Sequence, residues 1–166
     1  MTLVRKLLDA SEMLLAALCV AAFFAMFVLG VATVVFRFLL SSSLAFPDEL
    51  IRYLFVWAMF LGAAIALRRN LHAAIGIVVE NLPGAAKRVA LILATLVSIA
   101  FFLVLVSKGW LLTLRVVPQI SPALEVSMAW VYAAVPVGAA FMLIYAVELL
   151  VHQVRAPQAE LITSGS

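Results

Sequence analysis

Charge is the scarcest resource in this chain. Of its 166 residues only 11% are Asp, Glu, Lys or Arg, against roughly 25% in a soluble domain. Cysteine occurs once, as Cys19, so an internal disulfide and a cysteine-based metal site are both excluded, and its place in an apolar run gives it the role of a small hydrophobe. Histidine occurs twice, as His72 and His152. A two-histidine metal centre would need those distant positions to converge with a carboxylate. The formal charge of +3 comes from scattered basic residues, without the clustered footprint that nucleic acid requires. Ser98, Ser107 and Ser127 have no histidine or lysine that spacing would bring to them, which leaves a serine hydrolase without a base. No glycine-rich phosphate loop is present.

What the chain has in abundance is apolar side chains, at 67% of residues. They fall into four runs bounded by charges: 13–36, 50–67, 89–107 and 126–147. A helix needs about 20 such residues to cross ~30 Å of hydrocarbon, so the runs predict four transmembrane helices in one domain, 1–155, followed by a flexible tail, 156–166. The runs lack the alternation of a barrel strand. The first run is too long for a cleaved signal peptide, and Asp9 and Glu12 interrupt its basic start, which reads as an uncleaved signal anchor. If the N-terminus is cytoplasmic, Arg5, Lys6, Arg68, Arg69, Lys87, Arg88 and Arg155 lie inside, against Arg37, Arg52, Lys108 and Arg115 outside. That excess predicts cytoplasmic N- and C-termini.

Between the second and third runs, His72, Gly76 and Glu80 recur every four residues opposite Leu71, Ile75, Val78, Val79 and Leu82. The pattern predicts a short amphipathic helix over 71–82, too short to span and suited to the membrane interface. Pro83-Gly84 ends it.

Polar and shape-forming residues cluster at few places. In Phe46-Pro47-Asp48-Glu49-Leu50-Ile51-Arg52, Pro47 suits a first helical turn, and Asp48 and Glu49 complement the positive end of the helix dipole. At spacings of four and three, Arg52 can be shared by both acids, and the cluster is a candidate contact with another protein. Trp57 lies more than a turn inside the helix and reads as a packing residue. Gly62, Ala63, Ala64 and Ala66 make a thin side on which another helix can pack closely. Pro136, within Tyr132-Ala133-Ala134-Val135-Pro136-Val137-Gly138, frees the carbonyl of Tyr132 and kinks the fourth span. No charged residue or histidine lies in the interior of any run, where an ion-coupled carrier usually holds one. A four-helix chain with no site of its own is most simply an accessory subunit.

Three stretches resemble the small membrane subunit, DctQ type, of tripartite ATP-independent periplasmic (TRAP) transporters. They are Pro47-Asp48-Glu49-Leu50-Ile51-Arg52-Tyr53 with Phe55-Val56-Trp57 and Phe60-Leu61-Gly62-Ala63-Ala64; Arg68 with His72 and Leu82-Pro83; and Ser121-Pro122-Ala123-Leu124-Glu125-Val126-Ser127 with Tyr132, Pro136-Val137-Gly138 and Met142. The resemblance implies an inner-membrane complex with a large permease subunit, a periplasmic substrate-binding protein and sodium-driven uptake of an organic acid. It implies no cofactor in this chain, because sodium and substrate sites belong to the large subunit. The resulting candidates for partner contact are Asp48, Glu49, Arg52, Trp57, Gly62, His72, Tyr132, Pro136 and Gly138, with membrane lipids as the remaining neighbours.

Two other readings fit the composition. A self-contained oligomeric transporter or channel would have Arg52 and Lys108 as its polar candidates, and an interfacial enzyme would use Arg69, His72 and Glu80. Because Arg52 sits at the start of a span beside two acids, Arg52→Ala is expected to weaken assembly or transport more than Arg155→Ala. Co-purification yield and uptake of the two variants check this, and equal behaviour contradicts it.

Overall fold

The computed structural model describes residues 2–39, 46–79 and 84–155, and for residues 2, 4, 39, 70–79, 84, 85 and 155 the backbone alone. They form α1 (Thr2–Leu39), α2 (Phe46–Val79), α3 (Gly84–Arg115), the single turn α4 (Ala129–Tyr132) and α5 (Ala134–Arg155). Four stretches, Arg5–Phe38, Phe46–Arg69, Ala86–Arg115 and Ala129–Val154, are long and apolar enough to cross a bilayer. In hydrocarbon there is no water to satisfy backbone N–H and C=O groups, so an open chain spans only by closing its hydrogen bonds within each helix. The protein is an all-α, multi-pass membrane protein, and its helices run well beyond the apolar stretches that nucleate them.

Two boundaries differ from the sequence reading. The third helix continues past Ser107 to Arg115, taking Lys108 into the helix with its side chain exposed, an arrangement a long flexible amine tolerates by snorkelling. The fourth span starts at Ala129 rather than Val126, because residues 119–128 fold back on themselves. Ser121 N–H donates to the Val126 carbonyl at 2.9 Å and Met128 N–H to the Gln119 carbonyl at 2.8 Å, and Ile120 bridges Ser127. Glu125 turns the chain with φ 54°, the left-handed region that non-glycine residues rarely adopt. The segment expected as a separate interfacial helix is, up to Val79, continuous with α2; residues 80–82 of it, and the tail 156–166, lie outside the described residues.

In space the helices stand in the order α1, α2, α5, α3: α1 packs on α2, α2 on α5 and α5 on α3, while α2 meets α3 only lightly. Among the described residues α1 makes no close backbone approach to α3 or α5. The arrangement is an open row and not a closed bundle. Its core joins Leu15 and Cys19 of α1, Leu61 and Ala64 of α2, Phe102 of α3, and Met142, Tyr145 and Ala146 of α5. The outward faces of the two end helices stay apolar and exposed, including Phe23, Phe24, Phe27 and Val34 on α1 and Val97, Phe101, Leu103 and Leu114 on α3. Lipid or another protein must cover them.

Small residues decide how closely the inner helices approach. At Gly138 an added Cβ would stand 2.7 Å from the Cβ of Phe60 and 3.1 Å from that residue's backbone carbonyl, so α5 and α2 touch here without a side chain between them. Gly109 of α3 faces Pro136, whose ring Cδ would lie 3.2 Å from an added Cβ. Pro136 lies just past the break between α4 and α5. Ala133 N–H donates to Ala129 O and Val137 N–H to Ala133 O, while Pro136 has no N–H to give the carbonyl of Tyr132. Gly62, by contrast, has nothing within 4 Å of an added Cβ.

Gly138→Ala is therefore expected to lower stability by about 1–3 kcal/mol, the cost of overpacking a backbone contact, while Gly62→Ala leaves the isolated chain unchanged or slightly more stable. Thermal unfolding in detergent distinguishes the two; equal midpoints would contradict the assignment of Gly138 as the contact.

Candidate functional site

Each end of the row carries one polar latch, and each is built on α2. At the end away from the termini the latch is Glu49. Pro47 starts the helix and lies buried, and the pitch of its first turn leaves Asp48 exposed and Glu49 facing inward, 3% exposed. The Glu49 carboxylate accepts a hydrogen bond from Tyr53 one turn later, and its Oε2 accepts the backbone N–H groups of Ala123 at 2.8 Å and Leu124 at 3.2 Å. Tyr53 also reaches the sulfur of Met128 at 3.3 Å. The folded-back segment thus hangs its otherwise orphaned N–H groups on one carboxylate, which is how a buried acid is kept in an apolar setting. Trp57, two turns along α2, donates from Nε1 to the Trp130 carbonyl at 3.0 Å and so ties α4 to the same helix.

At the other end the latch is Arg68. Its guanidinium has five N–H donors, and the structure gives each an acceptor. Nε donates to Glu148 Oε2 at 3.1 Å. Nη1 donates to the Leu8 carbonyl at 3.1 Å and to Glu12 Oε2 at 2.5 Å. Nη2 donates to Asp9 Oδ1 at 2.6 Å and more weakly to Glu148 Oε1 at 3.4 Å. The guanidinium carbon stands 5.3 Å from the centroid of the Tyr145 ring, and the Tyr145 hydroxyl bonds Ser11 at 2.9 Å. Arg69 pairs with the second oxygen of Glu12. One residue of α2 therefore clamps the start of α1 and the end of α5, two helices that do not otherwise pack backbone to backbone.

The candidates for partner contact divide accordingly. Glu49 and Trp57 are internal ties of this chain. Gly138 and Pro136 are buried contacts between its own helices, and Tyr132 closes α4, half-buried. Gly62, Asp48 and Arg52 lie toward the surface. The expected sharing of Arg52 by two acids is not what the structure shows: its Nε donates to the Asp48 backbone carbonyl at 3.3 Å, and Glu49 has turned the other way to reach the backbone of residues 123–124. The side chain of His72 and all of Glu80 lie outside the described residues, and Arg69, grouped with them by sequence, is committed to Glu12. Lys108 is exposed on α3. No group of three or more His, Cys, Asp or Glu among the described residues could hold a metal ion.

Arg68 is the residue whose role the sequence pattern hides, since along the chain it reads only as a basic loop residue. A signal was available. In a four-span chain the start of run one, the end of run two and the end of run four share one membrane face, and those three positions hold Asp9 with Glu12, Arg68 with Arg69, and Glu148.

The described spans thus carry a polar tie toward each end and no charge near their middle. The family model for the DctQ component of tripartite ATP-independent periplasmic transporters matches residues 26–156. The chain belongs to the DctQ family. It is 30% identical over 143 residues to the sialic acid TRAP transporter small permease protein SiaQ of Vibrio cholerae, covering 84% of this chain and 79% of that one. It is 33% identical over 110 residues to the ectoine TRAP transporter small permease protein TeaB of Halomonas elongata, covering 65% and 57%. It is 29% identical over 102 residues to the C4-dicarboxylate TRAP transporter small permease protein DctQ of Rhodobacter capsulatus, covering 60% and 45%. For several of these curated relatives the chain spans less than two thirds of their length. The DctQ family is one of transporter permease subunits and not of enzymes, and the match runs from the second half of α1 through both latches of α2 to the end of α5.

The two latches differ in expected cost. Arg68→Ala strands Glu148 and leaves Glu12 with Arg69 alone, and is expected to cost about 2–4 kcal/mol. Glu49→Ala leaves two N–H groups and a tyrosine hydroxyl without their acceptor and is expected to cost about 1–3 kcal/mol, whereas Asp48→Ala stays within about 0.5 kcal/mol. Unfolding midpoints of the three purified variants check the order; an Asp48 effect as large as that of Glu49 would contradict it.

Proposed function

We propose that this chain is the small permease subunit of an inner-membrane TRAP transporter and serves as a fixed scaffold for the large permease subunit. The observation that carries the reading is the open row of helices. Arg68 bonds α2 to Glu148 of α5 at one end and Glu49 bonds α2 to the segment leading into α4 at the other, while the end helices α1 and α3 turn wide apolar faces outward. A rigid slab with apolar edges is what a moving transport domain needs to work against. Its own spans offer no charged residue near their centres for coupling to an ion gradient, so the sodium and substrate sites belong to the large subunit, and this chain needs no cofactor.

The three relatives are named for ectoine, sialic acid and C4-dicarboxylates, all solutes that carry a carboxylate, which supports uptake of an organic acid delivered by a periplasmic binding protein. The excess of Lys and Arg on the side of Arg68 supports cytoplasmic termini, with the Glu49 latch and Arg52 on the periplasmic side. The amphipathic pattern over 71–82 supports a cytoplasmic interfacial segment at the end of α2. In this arrangement Arg52 keeps its head group for a partner, and the expected effect of Arg52→Ala falls on assembly and not on the stability of the chain alone.

Co-expression with a large TRAP permease subunit is expected to give a complex that survives mild detergent. Proteoliposomes holding both chains should take up an organic acid only with a sodium gradient and the loaded binding protein. Flux from this chain reconstituted alone would favour the self-contained channel and overturn the scaffold reading.

A further inference from the structure

Beside Arg68 the row opens into a cleft of about 260 Å³ between α1 and α5. Arg5 and Asp9 of α1, Leu67 of α2, and Glu148, Leu149 and His152 of α5 line it, with Arg68 and Tyr145 in its wall. Its depth in the membrane is set by sequence: Leu67 and Val147 are the last residues of their apolar runs, and Arg68 and Glu148 the first charges beyond them. The cleft therefore lies at headgroup level, with leucines on its lining where acyl chains would begin.

Its charges balance without being paired off one to one: Arg5 and Arg68 stand against Asp9 and Glu148 on the lining, and Arg68 is bonded to both acids while Arg5 is bonded to neither, so a headgroup without net charge is matched. All five donors of Arg68 are occupied by protein acceptors, so this arginine has none to spare for an anion. Asp9 meets Arg68 through one oxygen and its side chain is 62% exposed; Glu148 is 31% exposed. On the same rim Arg5, one helical turn before Asp9, and His152 are exposed, and among the described residues neither is in an ion pair. One wall thus offers carboxylate acceptors and the other offers cationic or hydrogen-bond-donating groups, a few residues apart.

The geometry points to a binding site for a zwitterionic phospholipid headgroup with a primary ammonium, that is, phosphoethanolamine on a diacyl lipid. The ammonium brings three N–H donors to the Asp9 oxygen that Arg68 leaves free and to the remaining lone pairs of the partly exposed Glu148 carboxylate, and the phosphate faces Arg5 and His152. A quaternary ammonium fits less well. It has no N–H to donate, and the aromatic face that would receive it, Tyr145, is already taken by Arg68 at 5.3 Å. A purely anionic headgroup brings no N–H donor to Asp9 and Glu148 and adds a negative charge beside them. The bound lipid would fill the gap between two helices whose backbones do not approach closely and brace the Arg68 latch from outside, a role separate from any partner subunit.

The test is the unfolding midpoint of the full chain in neutral-detergent micelles doped with phosphatidylethanolamine, its mono- and dimethylated forms, phosphatidylcholine or phosphatidylglycerol. Phosphatidylethanolamine is expected to raise the midpoint by at least about 3 °C, with the gain falling at each methylation and smallest for phosphatidylglycerol. Arg5→Gln, which touches no latch contact, is expected to keep the midpoint without lipid and lose at least half of the gain. Equal gains from phosphatidylethanolamine and phosphatidylcholine, or a gain unaffected by Arg5→Gln, would overturn the site. Soluble phosphoethanolamine at millimolar concentration reproducing the full gain would overturn the assignment to a lipid.

Discussion

A guanidinium at the edge of hydrocarbon is tolerable only if its donors are met, and meeting them requires acceptors from more than one helix. Arg68 satisfies this by drawing carboxylates from α1 and α5 and a backbone carbonyl from α1 onto one residue of α2. The geometry of the row follows from that demand. Between lipid-facing helices apolar contact offers no hydrophobic contrast, so close packing and polar ties must hold the helices together. Here close packing is concentrated at Gly138 against Phe60 and at Gly109 against Pro136, and polar ties stand at the two ends. Arg68 bonded to Glu148 and Gly138 against Phe60 join α2 to α5, with α1 packed on one side of the pair and α3 on the other.

The Glu49 latch solves the matching problem at the other end. A loop that folds back at the membrane surface exposes N–H groups that no helix can satisfy. By turning Glu49 inward under Ala123 and Leu124 the chain converts that weakness into a joint between α2 and the segment leading into α4. Trp57 extends the joint to the Trp130 carbonyl. Both latches therefore use charged or polar groups to join distant parts of this chain.

Much of the fold is legible in the residues. Four apolar runs with no charge near their centres mark the four spans, since only a helix crosses lipid with its backbone satisfied, and Pro136 announces the break that separates α4 from α5. The candidate site is legible in part. Pro47-Asp48-Glu49 marks the right turn of α2, but spacing along one helix suggests that Arg52 joins both acids, whereas Glu49 is claimed by backbone donors more than seventy residues away. Gly62 and Gly138 look alike in sequence as small residues in a span, yet one faces open space and the other a neighbouring backbone. Local patterns cannot assign such residues, because the choice depends on which helix lies opposite.

Residue order alone fixes the solvent, the number of spans and the absence of charge at their centres, because these depend on the run of side chains along a single helix. The motifs in their order point to the family. Packing settles the rest: that α5 and not α3 sits beside α2, that Arg68 is a three-helix clamp and not a loop charge, and that Glu49 faces inward while Asp48 faces out. The physical reason is the same in each case. A polar group buried at the edge of a membrane takes its value from its partners, and partners brought together from distant parts of the chain exist only once the helices have packed.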